Sequence, residues 1–256
     1  MFNFNNVGRP VAIIKNGKYD KKLISLDTDS DENDKTHFRA LKISNDSKFQ
    51  QVPNTKAERE ILYITGRSGS GKSTYTRMYL EQYKKKYKNN PIYMFSSLKE
   101  DESLDSVKPQ RFKINDSLHQ DPIKVEELAS SCVIFDDIDV ISNKKIKEAV
   151  YDILNQVLEI GRHYKISCIV TNHLPTNGNW TRRILNESSC FVYFPASSSG
   201  KIKYVLTEYL DIDKKQIKYF KNCNTRWVCI YKNFPMYFIS EHEISLLNQD
   251  SDDELP

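Results

Sequence analysis

The stretch Ile61-Leu62-Tyr63-Ile64-Thr65-Gly66-Arg67-Ser68-Gly69-Ser70-Gly71-Lys72-Ser73-Thr74 decides how the chain is read. Five strand-forming residues run straight into residues 66–73, which fit G-x-x-x-x-G-K-[ST], and a helical pattern follows. Glycines let successive backbone N–H groups wrap phosphate oxygens, and the first turn of a helix adds the positive end of its dipole. Lys72 is then expected to reach the β- and γ-phosphates and the Ser73 hydroxyl to bind Mg²⁺. Only eight glycines occur in 256 residues, and three of them fall within positions 66–71, so the clustering has a local cause. The candidate nucleotide-binding set is Gly66, Arg67, Ser68, Gly69, Ser70, Gly71, Lys72, Ser73 and Thr74, with ATP and Mg²⁺ as the expected ligands.

Outward from this loop, short apolar runs alternate with longer helical patterns. Strands are expected at 61–65, 92–96, 132–135, 166–170 and 190–194, and helices at 73–87, 144–160, 181–187, 201–210 and 214–220. A closing antiparallel hairpin is expected from 226–231 and 236–240 around Asn233-Phe234-Pro235. This alternation predicts an α/β fold, a mainly parallel sheet covered by helices on both faces.

The run Cys132-Val133-Ile134-Phe135 ends in Asp136-Asp137, the form of a Walker B strand. Asp136 is expected to hold a magnesium-bound water and Asp137 to polarise the attacking water. An acid beside the metal ligand suits hydrolysis better than transfer to a small acceptor. The run 166–170 leads into Thr171-Asn172-His173, where Asn172 is the candidate to sense the γ-phosphate, Thr171 the second choice, and His173 reads as a structural or surface residue. Arg162, after the helix 144–160, suits either a helix C-terminus or a finger reaching the γ-phosphate of a neighbouring subunit. Arg182 and Arg183 rival it for the finger, and could equally face DNA.

Residues 1–55 read as a β-rich extension: runs at 11–15 and 18–26 flank the turn signal Asn16-Gly17, and 37–44 alternates. The expected division is this extension, an ATPase domain at 56–240 and an acidic tail at 241–256. Composition, 39% hydrophobic and 28% charged, excludes a mainly disordered chain. No apolar run approaches the roughly 18 residues of a membrane helix, and the start MFNFNNVGRP lacks a secretory layout, so a place inside a cell or particle is expected. The five cysteines form no CxxC pair and read as reduced thiols. Residues 27–34 hold five acids and 241–256 hold six, neither with a base; without those eleven acids the net charge of +4 becomes +15. A body that basic favours a polyanionic partner.

Taken in order, GRSGSGKS, CVIFDD, EIGRHYKISCIVTNHLP and TRRILNESSCFVYFP resemble the genome-packaging ATPases of the nucleocytoplasmic large DNA viruses, the poxvirus-type branch of the FtsK/HerA translocases. The resemblance spans residues 61–222. It implies a RecA-like P-loop NTPase assembled as a homo-oligomeric ring that moves double-stranded DNA into a capsid, with a capsid or portal component as partner. It also implies a place in the infected host cytoplasm, at the virus factory, and in the virion. The resemblance agrees with the roles given to Lys72, Ser73, Asp136 and Asp137 and makes Arg162 the leading trans-acting arginine. Two departures stand out: Asp137 where many members have glutamate, and Asn172 where glutamine is frequent. Sequence-independent phosphate contacts are expected from loops 174–183 and 197–203. A P-loop kinase of a small acceptor and a nucleotide-gated assembly protein remain as alternatives; a GTPase is disfavoured because no Asn-Lys-x-Asp motif occurs.

Overall fold

The computed structural model describes residues 1–29, 34–197 and 200–247. Most of the acid-rich end, half of the acidic run at 27–34 and two serines of the 197–203 loop lie outside the described residues.

The N-terminal part carries β1 (Phe2–Asn3), β2 (Arg9–Lys15), β3 (Leu23–Leu26), β4 (His37–Phe38), β5 (Ala40–Lys42) and β6 (Lys48–Gln51). The central part follows with β7 (Ile61–Thr65), α1 (Lys72–Lys86), β8 (Ile92–Ser96), α2 (Glu102–Asp105), β9 (Gln110–Lys113), α3 (Ser117–Gln120) and β10 (Cys132–Asp136). It continues through α4 (Lys144–Ile160), β11 (Ser167–Asn172), α5 (Asn179–Glu187), β12 (Cys190–Tyr193), α6 (Lys201–Glu208) and α7 (Lys214–Asn222). Strands β13 (Val228–Tyr231), β14 (Tyr237–Ser240) and β15 (Glu243–Leu246) close the described chain.

A ten-stranded sheet runs β5-β15-β14-β13-β12-β7-β11-β10-β8-β9. The six strands from β12 to β9 are parallel, and the hairpin strands and β5 continue the sheet antiparallel. The expected parallel core is therefore present inside a larger mixed sheet. Two strands of this sheet escaped the sequence pattern for one reason: β9 and β15 lie near the edges and carry few inward apolar residues, so neither gives a long hydrophobic run.

Alternation along the buried strands sends residues to two cores. Leu62, Ile64, Met94, Ile134 and Ile169 pack on Tyr75, Tyr79, Leu80 and Tyr83 of α1. Tyr63, Phe95, Phe135 and Val170 pack on Val150, Leu154 and Val157 of α4. Each fully buried aliphatic side chain among these contributes about 1.5–3 kcal/mol by leaving water. Asn143 starts α4 by accepting the Ile146 N–H at 3.2 Å.

The remaining N-terminal strands form a five-stranded antiparallel sheet, β4-β1-β3-β2-β6. Its Phe2, Val11, Ile14, Ile24 and Phe49 join the α1-side core, and β5 pairs with β15 in the large sheet. The boundary expected near residue 55 thus separates no two cores. Nor does the acidic tail begin at 241: Glu241 is buried, accepting the Arg226 N–H at 2.7 Å and pairing with Lys48 at 3.0 Å, and β15 follows it. Acid count hid a strand that buries Glu243 and Ser245 beside Ile244 and so gives no apolar run.

Candidate functional site

Strand β11 lies between β7 and β10, so the C-terminal ends of these three parallel strands share one rim. That rim gathers the loop 66–71, the acid pair and the Thr171 tip.

The loop needs glycine at two places for different reasons. A Cβ on Gly66 would stand 2.5 Å from Ser70 Oγ and 2.9 Å from the Phe194 ring, and Gly71 holds φ at 109° where α1 begins. Lys72 follows at once and is buried, its Nζ donating to the Gly66 carbonyl at 3.0 Å and lying 3.3 Å from Asp137 Oδ1. Arg67, Ser68, Gly69 and Thr74 are exposed and Ser73 is half-buried at the rim.

Asp137 adopts the left-handed region at φ 45°, which turns the chain sharply at the end of β10. Its N–H donates to the Thr171 carbonyl at 3.1 Å and lies 2.9 Å from Thr171 Oγ1. Thr171 Oγ1 is 2.9 Å from Asp136 Oδ1 and 3.1 Å from Asp137 Oδ1, and the Ser96 hydroxyl donates to Asp136 Oδ2 at 3.0 Å. Burial raises the Asp136 carboxyl above its usual range, and the neighbouring Asp137 and Asp101 charges push it the same way. The rim thus carries more negative charge than Lys72 alone balances.

Ser73 and Asp136 offer hard oxygen donors of the kind Mg²⁺ takes. Among the described residues no group of three or more His, Cys, Asp or Glu is arranged to hold a metal by itself. Two protein oxygens supplemented by phosphate oxygens and water is the usual way Mg²⁺ is held beside a nucleotide.

The expectation for Asn172 is corrected by strand alternation. Its side chain falls on the α4 side of β11, fully buried, with Nδ2 donating to the Tyr63 hydroxyl at 3.2 Å. Thr171, one residue earlier, faces α1 and meets the acids. His173, expected to be a structural or surface residue, places Nε2 3.0 Å from Asp137 Oδ2, while its N–H donates to Asp139 Oδ2 at 3.0 Å.

Arg162 lies at the other end of the strands. Helix α4 returns antiparallel to β10, so its C-terminus reaches the start of β11, about 20 Å from the rim along a strand of six residues. There Arg162 is exposed and ion-paired with Glu58, and it does not approach its own chain's loop 66–71. The cation serving the α4 C-terminus is Arg59, which donates to the Val157 and Leu158 carbonyls. Arg183 pairs with Glu159 at 3.1 Å. Arg182 borders a surface groove of about 560 Å³ shared with Thr176, Tyr204 and Tyr209. Trp180 packs on Tyr151 at 4.5 Å between ring centres, an inward role in a loop expected to meet DNA.

One participant has no sequence signal: Asp101, whose Oδ2 accepts the Ser73 hydroxyl at 3.1 Å. It follows β8, and only the sheet order, which sets β8 beside β10, brings it to the rim.

The family model described as Nephrocystin 3, N-terminal, matches residues 41–171, a span that holds the loop, Asp101, both acids and Thr171. Protein V3 of Sputnik virophage is 38% identical over 243 residues, 94% of this chain and 96% of V3. In fold the chain is similar to the genome packaging NTPase B204 of Sulfolobus turreted icosahedral virus 2 in complex with AMPPCP, with a TM-score of 0.51, 12% identity, and coverage of 71% of this chain and 97% of B204. B204 of Sulfolobus turreted icosahedral virus, described as its DNA-packaging ATPase, matches with a TM-score of 0.50 at 15% identity, over 72% of this chain and 97% of that one. At such identities the likeness concerns the fold: an α/β architecture resembling P-loop ATPases.

Proposed function

Since the chain belongs to the Nephrocystin 3, N-terminal family, and to one family with protein V3 of Sputnik virophage, we propose that it is an ATP-hydrolysing motor that moves double-stranded DNA into a virus capsid. The observation that carries the reading is the convergence of Lys72 and Asp137, 3.3 Å apart, from two strands separated by β11. A lysine at a helix start next to an acid pair, with oxygen donors beside it, is what cleavage of a phosphoanhydride by water requires.

In this reading residues 66–74 wrap the triphosphate, and Lys72 exchanges its Asp137 partner for the β- and γ-phosphates when ATP enters. Asp137, released from the lysine and still held by His173, polarises the attacking water. Thr171 sets its one hydroxyl between the two carboxylates, within reach of either, and takes the place at the strand tip that Asn172 was expected to fill. Mg²⁺, held by Ser73 and Asp136, would neutralise charge building between the β- and γ-phosphates. Arg162 is exposed and far from its own rim, which suits a contact in trans across a homo-oligomeric ring. Lys72→Ala chains mixed with Arg162→Ala chains should then regain hydrolysis that neither has alone.

Packaging as the biological task, a capsid or portal partner, membership of the large-DNA-virus branch, and a place in the virus factory and virion belong to the same proposal. It draws support from the packaging NTPase B204 having a similar fold and from the virophage relative. Among the described residues no helix is long and apolar enough to cross a membrane. Phosphate release from the purified oligomer, with and without duplex DNA, tests the reading. A motor is stimulated by DNA, a small-acceptor kinase is indifferent to it, and a nucleotide-gated assembly protein releases no phosphate.

A further inference from the structure

The Ser73 hydroxyl needs an acceptor for its hydrogen while its oxygen faces a cation. Asp136 accepts from other hydroxyls, Thr171 on Oδ1 and Ser96 on Oδ2. The hydrogen goes to Asp101 Oδ2 at 3.1 Å. Asp101 is held from every side. Its Oδ1 accepts the Leu104 N–H at 2.9 Å and caps α2, and its own N–H donates to Asp105 Oδ2 at 2.8 Å. Asp105 is gripped in turn by Arg111, at 2.6 Å from Nη2 and 3.1 Å from Nε, while Arg111 Nη1 donates to the Leu98 carbonyl at 3.0 Å. The segment joining β8 to β9 is therefore braced to present one carboxylate oxygen to the P-loop serine.

We propose that Asp101 is a positioning residue of the magnesium site: by accepting the Ser73 hydroxyl hydrogen it turns the oxygen lone pairs toward the cation. The proposal rests on the ATPase reading. A carboxylate that accepts a hydrogen from a metal ligand orients the ligand and makes it a better donor, and losing such a partner typically costs about ten- to a hundredfold in metal affinity.

The test titrates MgCl₂ into the protein at a fixed concentration of a fluorescent, non-hydrolysable ATP analogue. Asp101→Asn and Asp101→Ser both keep a side chain able to cap α2, so melting temperatures should stay close to the parent's. Neither offers Ser73 a carboxylate, and the Mg²⁺ midpoint should rise about ten- to a hundredfold. In EDTA, analogue affinity should stay equal or tighten, because a negative charge has left the vicinity of the phosphates. A purely structural Asp101 predicts an unmoved Mg²⁺ midpoint in both variants, and that result overturns the proposal. If the parent protein binds the analogue with no response to Mg²⁺, the ATPase reading falls together with this one; if only the variants match the parent, this one falls alone.

Discussion

Two buried carboxyl groups sit at opposite ends of the same sheet, Asp136 at the rim and Glu60 just before β7. Burial pushes both above their usual range. Around Glu60 the protein supplies the compensation: the Asn54 N–H and the Tyr79 hydroxyl donate at 2.8 Å each and the Tyr231 hydroxyl at 3.1 Å. Gln51 extends the network by bonding the Tyr231 and Tyr75 hydroxyls, tying β6, α1 and β13 together. Around Asp136 two hydroxyls donate, but two more carboxylates stand nearby and add to the charge. The difference lies in the surroundings. Desolvation alone marks neither group as functional; in the proposed reading the buried acid facing other acids is completed by a cation from outside, whereas the one ringed by donors is already complete.

The sharpest way to break this contrast is at the rim. Asp136→Asn should abolish Mg²⁺-dependent hydrolysis and yet raise the stability of the nucleotide-free protein by about 0.5–2 kcal/mol, since it removes a buried charge that the Asp137 and Asp101 charges repel. Phosphate release and urea unfolding read the two effects separately, and a destabilised Asp136→Asn would place Asp136 in the same class as Glu60. Next in size, Asp137→Asn should retain ATP binding while turnover falls about 10²- to 10⁴-fold, the range for a general base. Near-normal turnover would move water activation elsewhere, with Asp139 the nearest acid on the same segment.

Which residues meet at the rim was largely legible, because the chemistry expected of them asks for residue types at fixed spacing. Glycines, Lys72 and Ser73 must be contiguous, and acids must end an apolar strand. What spacing could not supply was the side on which a strand tip points. Asn172 and Thr171 differ by one residue, and the pleat sends them to opposite cores. Asp101 was invisible for another reason, since its contact spans 28 residues and depends on β8 lying beside β10. The Glu60 network has no signature at all. It is assembled by Gln51, Tyr75, Tyr79 and Tyr231 from three separate elements, and tyrosines at helical spacing in α1 read only as an apolar face.

At the Glu60 end the expected effects are on stability. Glu60→Ala should cost about 3–5 kcal/mol in urea unfolding, because it leaves the Asn54 N–H and two tyrosine hydroxyls without an acceptor in the core. A loss below about 1 kcal/mol would mean that water enters and replaces the carboxyl.

The finest test compares the parent with Glu60→Gln as pH changes. The folded state raises the Glu60 carboxyl above its usual 4.5, chiefly by burial, so the folded chain holds this proton more tightly than the unfolded chain does. Stability contributed by the group is then complete below about 4.5 and is lost as pH rises through the raised value. Glutamine cannot titrate. The neighbouring Tyr79 and Tyr231 hydroxyls, themselves pushed well above their usual range by burial, stay neutral throughout. The difference in unfolding free energy, parent minus Glu60→Gln, should therefore grow in the parent's favour as pH falls from 8 and level off near 4.5. A difference that shrinks over the same interval would mean that Glu60 is held as a carboxylate by the hydroxyls, with a minor contribution from the positive charge of nearby Arg9. In that case both ends of the sheet store negative charge, and the contrast between them would lie in access to solvent cations rather than in compensation by the protein.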